Sequence, residues 1–263
     1  MAHRTLVSLS TGVIAAASLA GSAHATFFSF ASDNDHTSYT FRGTAGAGGS
    51  FTITEDGPTS PFTLFVDDNN GPLAALPVAT RFTANLNATW VASTNIFANV
   101  WQHSYSFAGN FQFLDPNTGA AILTITVGPN NRGVFTVPGG QNSWSSAGAI
   151  LGADSFADVT YTAFPALVTA LGGAANAANY GIVIPNGISA SSTGPDDLGF
   201  DLTVLNSGTM GINVGLDPQT HLPTTTWASE SSYSGSAIGG IPTPGASALL
   251  ACAGLIVARR RRK

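Results

Sequence analysis

Lysine is missing from the first 262 residues, and the single Lys is residue 263. That removes a phosphate-loop lysine, a Schiff-base lysine and a kinase lysine together. Cysteine is nearly absent too. Cys252 is alone, so no intrachain disulfide and no Cys-rich zinc site can form. Charge of any sign is scarce, at 9% of residues, against about 25% in an ordinary globular chain. Basic residues are scarcer still. Between Thr26 and Ala258 the cations are Arg42, Arg81 and Arg132, facing fourteen acids between Asp33 and Glu230, so three minus fourteen leaves −11. Three scattered Arg cannot neutralise a row of phosphates, which excludes nucleic-acid binding.

What the chain has in quantity is Gly and Pro, 30 and 14 of 263 residues, with no collagen-like period. Mean hydropathy is +0.21. Low charge with positive hydropathy is the reverse of a disordered chain. Apolar residues recur at period 2. Phe82, Ala84, Leu86, Ala88 and Trp90 share one face, with Thr83, Asn85, Asn87 and Thr89 on the other. Phe51 and Ile53, then Phe62, Leu64 and Val66, then Leu123, Ile125 and Val127 repeat the pattern, as do Phe200, Leu202 and Val204 and the run Met210, Ile212, Val214 and Leu216. One apolar and one polar face make a half-buried antiparallel strand. Turn signals separate the runs at Asp56-Gly57-Pro58, Asn69-Asn70-Gly71-Pro72, Asp115-Pro116-Asn117, Gly128-Pro129-Asn130 and Gly194-Pro195-Asp196. The expected fold is all-β, an antiparallel β-sandwich or jelly-roll-like body.

One Ala-rich stretch departs from period 2. Pro165 suits a first helical turn and Gly172-Gly173 a helix end, so a short helix or ordered loop is expected between them. The Gly/Ser-rich segment from Gly139 to Asp154 reads as a long loop. Tyr233 to Gly240 reads as a flexible linker.

The ends differ from the body. Arg4 precedes an uncharged run from Thr5 to Ser22, followed by Ala23-His24-Ala25. A basic start, an apolar run and a small-x-small site predict a signal peptide over residues 1–25, cut after Ala25. At the other end Ile241-Pro242-Thr243-Pro244 precedes an apolar run from Ala246 to Ala258, carrying Leu249, Leu250, Leu255 and Ile256. The chain closes on Arg259, Arg260, Arg261, Arg262 and Lys263. The run predicts a short transmembrane helix. Its five terminal cations would stay on the cytoplasmic side, leaving the body outside.

A proline motif, a short apolar helix and a terminal Arg cluster resemble the PEP-CTERM sorting tail over Ile241 to Lys263. In that family the motif usually reads Val-Pro-Glu-Pro; here Thr243 stands where the Glu would be. The resemblance implies an exosortase-type membrane enzyme of Gram-negative bacteria as processing partner. The expected organisation is a signal peptide (1–25), a β-sandwich ectodomain (26–232), a linker (233–240) and a sorting tail (241–263).

Residues for chemistry are sparse. His36, His103 and His221 lie far apart in sequence and predict no metal site. Asp33-Asn34-Asp35-His36-Thr37 and Asp67-Asp68-Asn69-Asn70-Gly71 offer oxygens to a calcium ion, though Asx turns explain them equally well. No Gly-x-Ser-x-Gly elbow occurs. Asp154, Asp158, Asp196, Asp197 and Asp201 are the carboxylates a glycosidase-like pair would draw on, without a spacing that selects two. Among Trp90, Trp101, Trp144, Trp227, Tyr105, Tyr161 and Tyr233, Trp144 in the Gly/Ser segment is the candidate glycan contact. The leading expectation is a non-enzymatic structural protein of the cell surface or extracellular matrix, without a cofactor. A glycan-binding module for extracellular polysaccharide and a carboxylate-dependent hydrolase are the alternatives.

Overall fold

In the computed structural model of the chain, residues 25–31, 41–45, 50–55, 62–68, 72–128, 134–145, 149–153, 159–184, 187–192, 196–206 and 214–237 are described. Among them are fifteen strands: β1 (Thr26–Ala31), β2 (Phe41–Ala45), β3 (Ser50–Glu55), β4 (Phe62–Asp67), β5 (Leu76–Phe97), β6 (Val100–Leu114), β7 (Ala121–Val127), β8 (Val134–Gly139), β9 (Ser143–Trp144), β10 (Ala149–Ala153), β11 (Val159–Ala163), β12 (Ala190–Ser191), β13 (Asp197–Asn206), β14 (Val214–Gly215) and β15 (Trp227–Ala237). Two six-residue helices, α1 (Pro165–Ala170) and α2 (Ala174–Asn179), lie between β11 and β12.

Thirteen strands form one antiparallel sheet, as the alternation predicts. Pairings run from β15 through β2, β3, β5, β6, β8, β10 and β13 back to β15. The sheet is therefore curled on itself, and its facing walls share hydrogen bonds at β5–β6 and β13–β15. At one end β1 and β4 span from β15 to β5. On the other side of β5–β6, β7 and β11 extend from the free half of β6.

Alternation puts Phe62, Leu64 and Val66, and then Val78, Phe82, Ala84, Leu86 and Ala88, inside the curl. Their neighbours Thr63, Phe65, Ala79, Arg81, Asn85 and Asn87 face out. The core is dominated by aromatic rings. Phe30 lies within 5.7 Å of Phe62, Phe82, Phe113 and Tyr233. A second cluster surrounds Phe51, with Tyr105 at 5.0 Å and Trp144 at 5.4 Å. Without disulfides, ring packing and apolar burial hold the fold.

The expected break at Pro165 is present as two helices rather than one. Pro165 begins α1 where its missing N–H costs nothing. Gly172 and Gly173 take left-handed φ of 85° and 109° and separate α1 from α2. Leu167, Leu171 and Ala177 bury the apolar side of the pair.

Two segments differ from expectation. Tyr233 to Ala237 belong to β15 and not to a linker, and Tyr233 is buried. Small residues there reflect crowding: β15 is paired with β1 on one edge and β13 on the other. The fold thus extends to Ala237, beyond the expected boundary at 232. The segment from Gly139 to Asp154 is likewise no simple loop, because it holds the end of β8 and all of β9 and β10. Of the run from Met210 to Leu216, the described part is β14 and Leu216, which bridges to Pro223. Met1 to His24 and Ile238 to Lys263 lie outside the described residues, and with them the expected signal peptide, apart from Ala25, and the expected tail. Among the described residues no helix is long and apolar enough to cross a membrane.

Candidate functional site

Polar side chains converge where the β5–β6 hairpin leaves the body. Trp90 pairs with Tyr105, Ala92 with Ser104 and Ser93 with His103, with a register shift between Trp90 and Ala92. In a regular strand residues 90 and 93 would face opposite sides. The bulge re-aims the strand and brings Trp90 and Ser93 to the same side as His103 and Tyr105.

The hydrogen bonds there fix one another's direction. Gly140 O can only accept, so His103 Nε2 carries its proton toward it at 2.9 Å. His103 Nδ1 is then an acceptor and takes the Ser93 hydroxyl at 2.7 Å. Ser93 Oγ in turn receives the Trp90 indole N–H at 3.0 Å. Burial pushes the His103 pKa below 6.5, and the nearby His221 acts in the same direction, while the Gly140 bond opposes both. His103 is therefore a neutral base with a defined tautomer.

His221 arrives from a turn after β14. Asp217 Oδ1 accepts from Gln219 N, Thr220 N and Thr220 Oγ1 at 2.9, 2.7 and 3.0 Å. These bonds lower the Asp217 carboxyl pKa, led by Thr220. The turn places His221 at a left-handed φ of 54°. Its ring lies 4.8 Å from that of Trp90 and 5.7 Å from that of His103. Tyr105 Oη donates to His221 O at 2.5 Å. Burial raises the Tyr105 pKa, partly offset by the neighbouring Trp144 indole. A serine hydroxyl on a neutral imidazole is half of a nucleophile pair. Here the Ser93 oxygen is already occupied by Trp90, and His103 is fully buried. The arrangement works as a pin that ties the hairpin to Gly140 and to the 217–223 turn.

A second network closes the opposite end. Tyr161 Oη donates to Asp197 O at 2.6 Å, so the Tyr233 hydroxyl donates to Tyr161 Oη, also at 2.6 Å. Ser236 Oγ donates to Asp197 Oδ1 at 2.6 Å. Ser192 Oγ donates to the buried Asp196 and accepts from Tyr161 N at 2.9 Å.

The residues singled out from sequence fall as follows. Trp144 is not a surface platform. It is wholly buried against Phe51, Tyr105 and Trp227, because β9 turns it into the core. Trp227, Tyr105, Tyr161 and Tyr233 are core as well, while Trp90 and Trp101 are half-buried. Asp196 faces inward and Asp197 outward, so the two do not face each other across a site. Asp201 lies on β13 opposite Ser232. Asp154 and Asp158 lie outside the described residues. Asp67 Oδ1 accepts from Asp68 N at 2.7 Å and Asp68 Oδ2 from Leu73 N at 3.3 Å, which is turn geometry. Asn69 to Gly71 and Asp33 to Thr37 are not among the described residues, which contain no group of three or more His, Cys, Asp or Glu placed to hold a metal. The sequence reading missed the meeting of Ser93, His103 and His221. A hairpin register with its bulge would have been needed to find it.

No family model, curated protein or solved structure matches this chain.

Proposed function

We propose that this is an exported structural protein of the cell surface or extracellular matrix, delivered by an N-terminal signal peptide. Its C-terminal tail would be read by an exosortase-type enzyme of the membrane. The observation that carries the reading is where the first and last described strands lie. β1 begins at Thr26, the residue after Ala23-His24-Ala25, and β15 ends at Ala237, four residues before Ile241. Thr26 pairs directly with Ala237, so both flanking segments leave from one end of the body. Thr26 is buried and its Oγ1 donates to Tyr180 O at 2.6 Å, so the new N-terminus would sit locked in the sheet.

A single exit point suits a domain held by its tail while its other end faces outward. The curled sheet serves as a sandwich-like spacer whose two walls enclose the aromatic core. Its acidic, lysine-free composition favours solubility outside the cell. The helix from Ala246 to Ala258 would rise roughly 20 Å, short of a hydrocarbon core near 30 Å. That length suits a segment presented to a processing enzyme better than a permanent anchor.

The test is mass spectrometry of the mature protein from its native host. The expected product begins at Thr26 and has lost its tail near Pro244. Intact chains that start at Met1, or that end in Arg262-Lys263 as the main membrane species, would overturn the export and processing readings respectively.

A further inference from the structure

β5 runs on past the strand that covers one of its edges. Its pairing with β3 ends at Ser50↔Thr89, while β6 follows its other edge to Phe97↔Val100. From Val91 to Phe97, therefore, one edge of β5 has no strand partner among the described residues. The side chains there are open to solvent: Val91 and Ile96 are 57% exposed and Phe97 75%. The segment Val91-Ala92-Ser93-Thr94-Asn95-Ile96-Phe97 contains no charge, no Pro and no Gly. Three of its seven residues are β-branched and one is aromatic, a composition that favours strand pairing. Edge strands are normally blunted by Lys, Pro, inward charge or bulges. β5 is bulged between Trp90 and Ala92 and between Asn95 and Phe97, but Phe82 to Leu114 contains no Asp, Glu, Lys, Arg or Pro to keep a second strand off.

We propose that Val91–Phe97 is a self-assembly edge, where β5 of one copy pairs antiparallel with β5 of a second copy about a two-fold axis at Thr94. This register sets Thr94 opposite itself, Ser93 opposite Asn95, Ala92 opposite Ile96 and Val91 opposite Phe97. Each pair other than Thr94–Thr94, which lies on the axis, then occurs twice, as an isologous interface requires. The Val91–Phe97 contact is a β-branched–aromatic cross-strand pair. The Trp90–Ser93–His103 pin sits at the base of the segment and holds the edge formed before a partner arrives.

Charge and backbone chemistry select this occupant. Two copies of a body bearing −11 repel each other over most surfaces. The hairpin is where they can meet without setting carboxylate against carboxylate. A basic partner finds no acid here to bind. A bilayer is a poor occupant because open backbone N–H and C=O groups do not enter hydrocarbon. On the tail reading proposed above, the bilayer also lies at the wrong end. The chain leaves the body at Thr26 and Ala237, beside β4, whereas the hairpin tip lies beyond the far end of the β3–β5 pairing. The self-pairing itself does not depend on that reading.

The test uses the full chain in mild detergent, examined by sedimentation velocity and by disulfide trapping. With Cys252→Ser as background, Thr94→Cys places a single thiol on the proposed axis, within disulfide reach of its copy. Thr118→Cys, in the exposed turn after β6, is the control. The expected result is a concentration-dependent dimer that cross-links rapidly through residue 94 and not through 118. Thr94→Lys, exposed and so neutral for folding, sets like charges opposite each other and weakens the dimer roughly tenfold or more. A Thr94→Lys melting curve that matches wild type at a concentration where wild type is monomeric separates lost pairing from lost fold. A wild-type chain that stays monomeric at its solubility limit overturns the proposal. So does a dimer that survives Thr94→Lys, or equal cross-linking at 94 and 118.

Discussion

Gly235→Ala separates a strand from a linker at the C-terminal end of the body. Gly235 lies in β15 between Phe28 of β1 and Leu198 of β13. A methyl on its Cα would collide with Tyr161 Oη and lie 2.7 Å from both Asp197 O and Tyr233 Oη. These atoms form the chain Tyr233 to Tyr161 to Asp197 O, and burial keeps both phenols protonated by raising their pKa values. Neither ring has room to retreat. Tyr161 is stacked on Phe28 at 5.5 Å and Tyr233 on Phe30 at 5.7 Å. Overpacking costs about 1–3 kcal/mol and each buried hydroxyl left without its partner about 1–3 kcal/mol. A loss of about 4 kcal/mol follows, a large part of the 5–15 kcal/mol typical of a native domain. At about 2–4 °C per kcal/mol for a domain of this size, the melting temperature should fall by roughly 8–16 °C. Thermal and urea unfolding followed by circular dichroism measure it. In a Tyr161→Phe background the nearest obstruction is gone, so the same substitution should cost less by more than about 0.5 kcal/mol. If Gly235→Ala shifts stability by under about 0.5 kcal/mol, and additively with Tyr161→Phe, the packing argument fails and the segment behaves as a linker.

Trp144→Ala should destabilise the protein by about 3–5 kcal/mol, seen as a lower urea midpoint, because it empties a site walled by three other aromatic rings; an unchanged midpoint would return Trp144 to the surface. Ser93→Ala strips the Trp90 indole and His103 Nδ1 of their shared partner and should cost about 1–3 kcal/mol in the same assay. His103 makes stability depend on pH. Its folded pKa is lowered, so its stabilising contribution is full above 6.5 and is lost as pH falls from there through the lower folded value, because the unfolded chain binds the proton first. His103→Asn should flatten the fall in urea midpoint below pH 6.5; a slope identical to wild type would assign the acid sensitivity to other groups.

Local chemistry by itself determined most of the strands. Phe62, Leu64 and Val66, and Phe82 through Ala88, fall on the inner face because period 2 is a property of the extended backbone and needs no partner to be read. The turn at Asp115 was legible for a similar reason, since its carboxylate accepts from Asn117 N and Thr118 N two and three residues away. Pro165 and Gly172-Gly173 punctuated the helical segment through their own φ preferences. Tertiary structure decided the rest. Composition marked Tyr233 to Ala237 as flexible because Gly and Ser weaken side-chain contacts, yet a strand hydrogen-bonded along both edges is held by its backbone whatever its side chains. Trp144 looked exposed among Gly and Ser, but where an isolated aromatic points depends on which strand pairs beside it, and β14 pairs with β9 from seventy residues away. Ser93, His103 and His221 meet because one bulge shifts the phase of β5 and one turn carries His221 back over the hairpin. Alternation along a single strand carries no information about register between strands, and register determines which side chains meet.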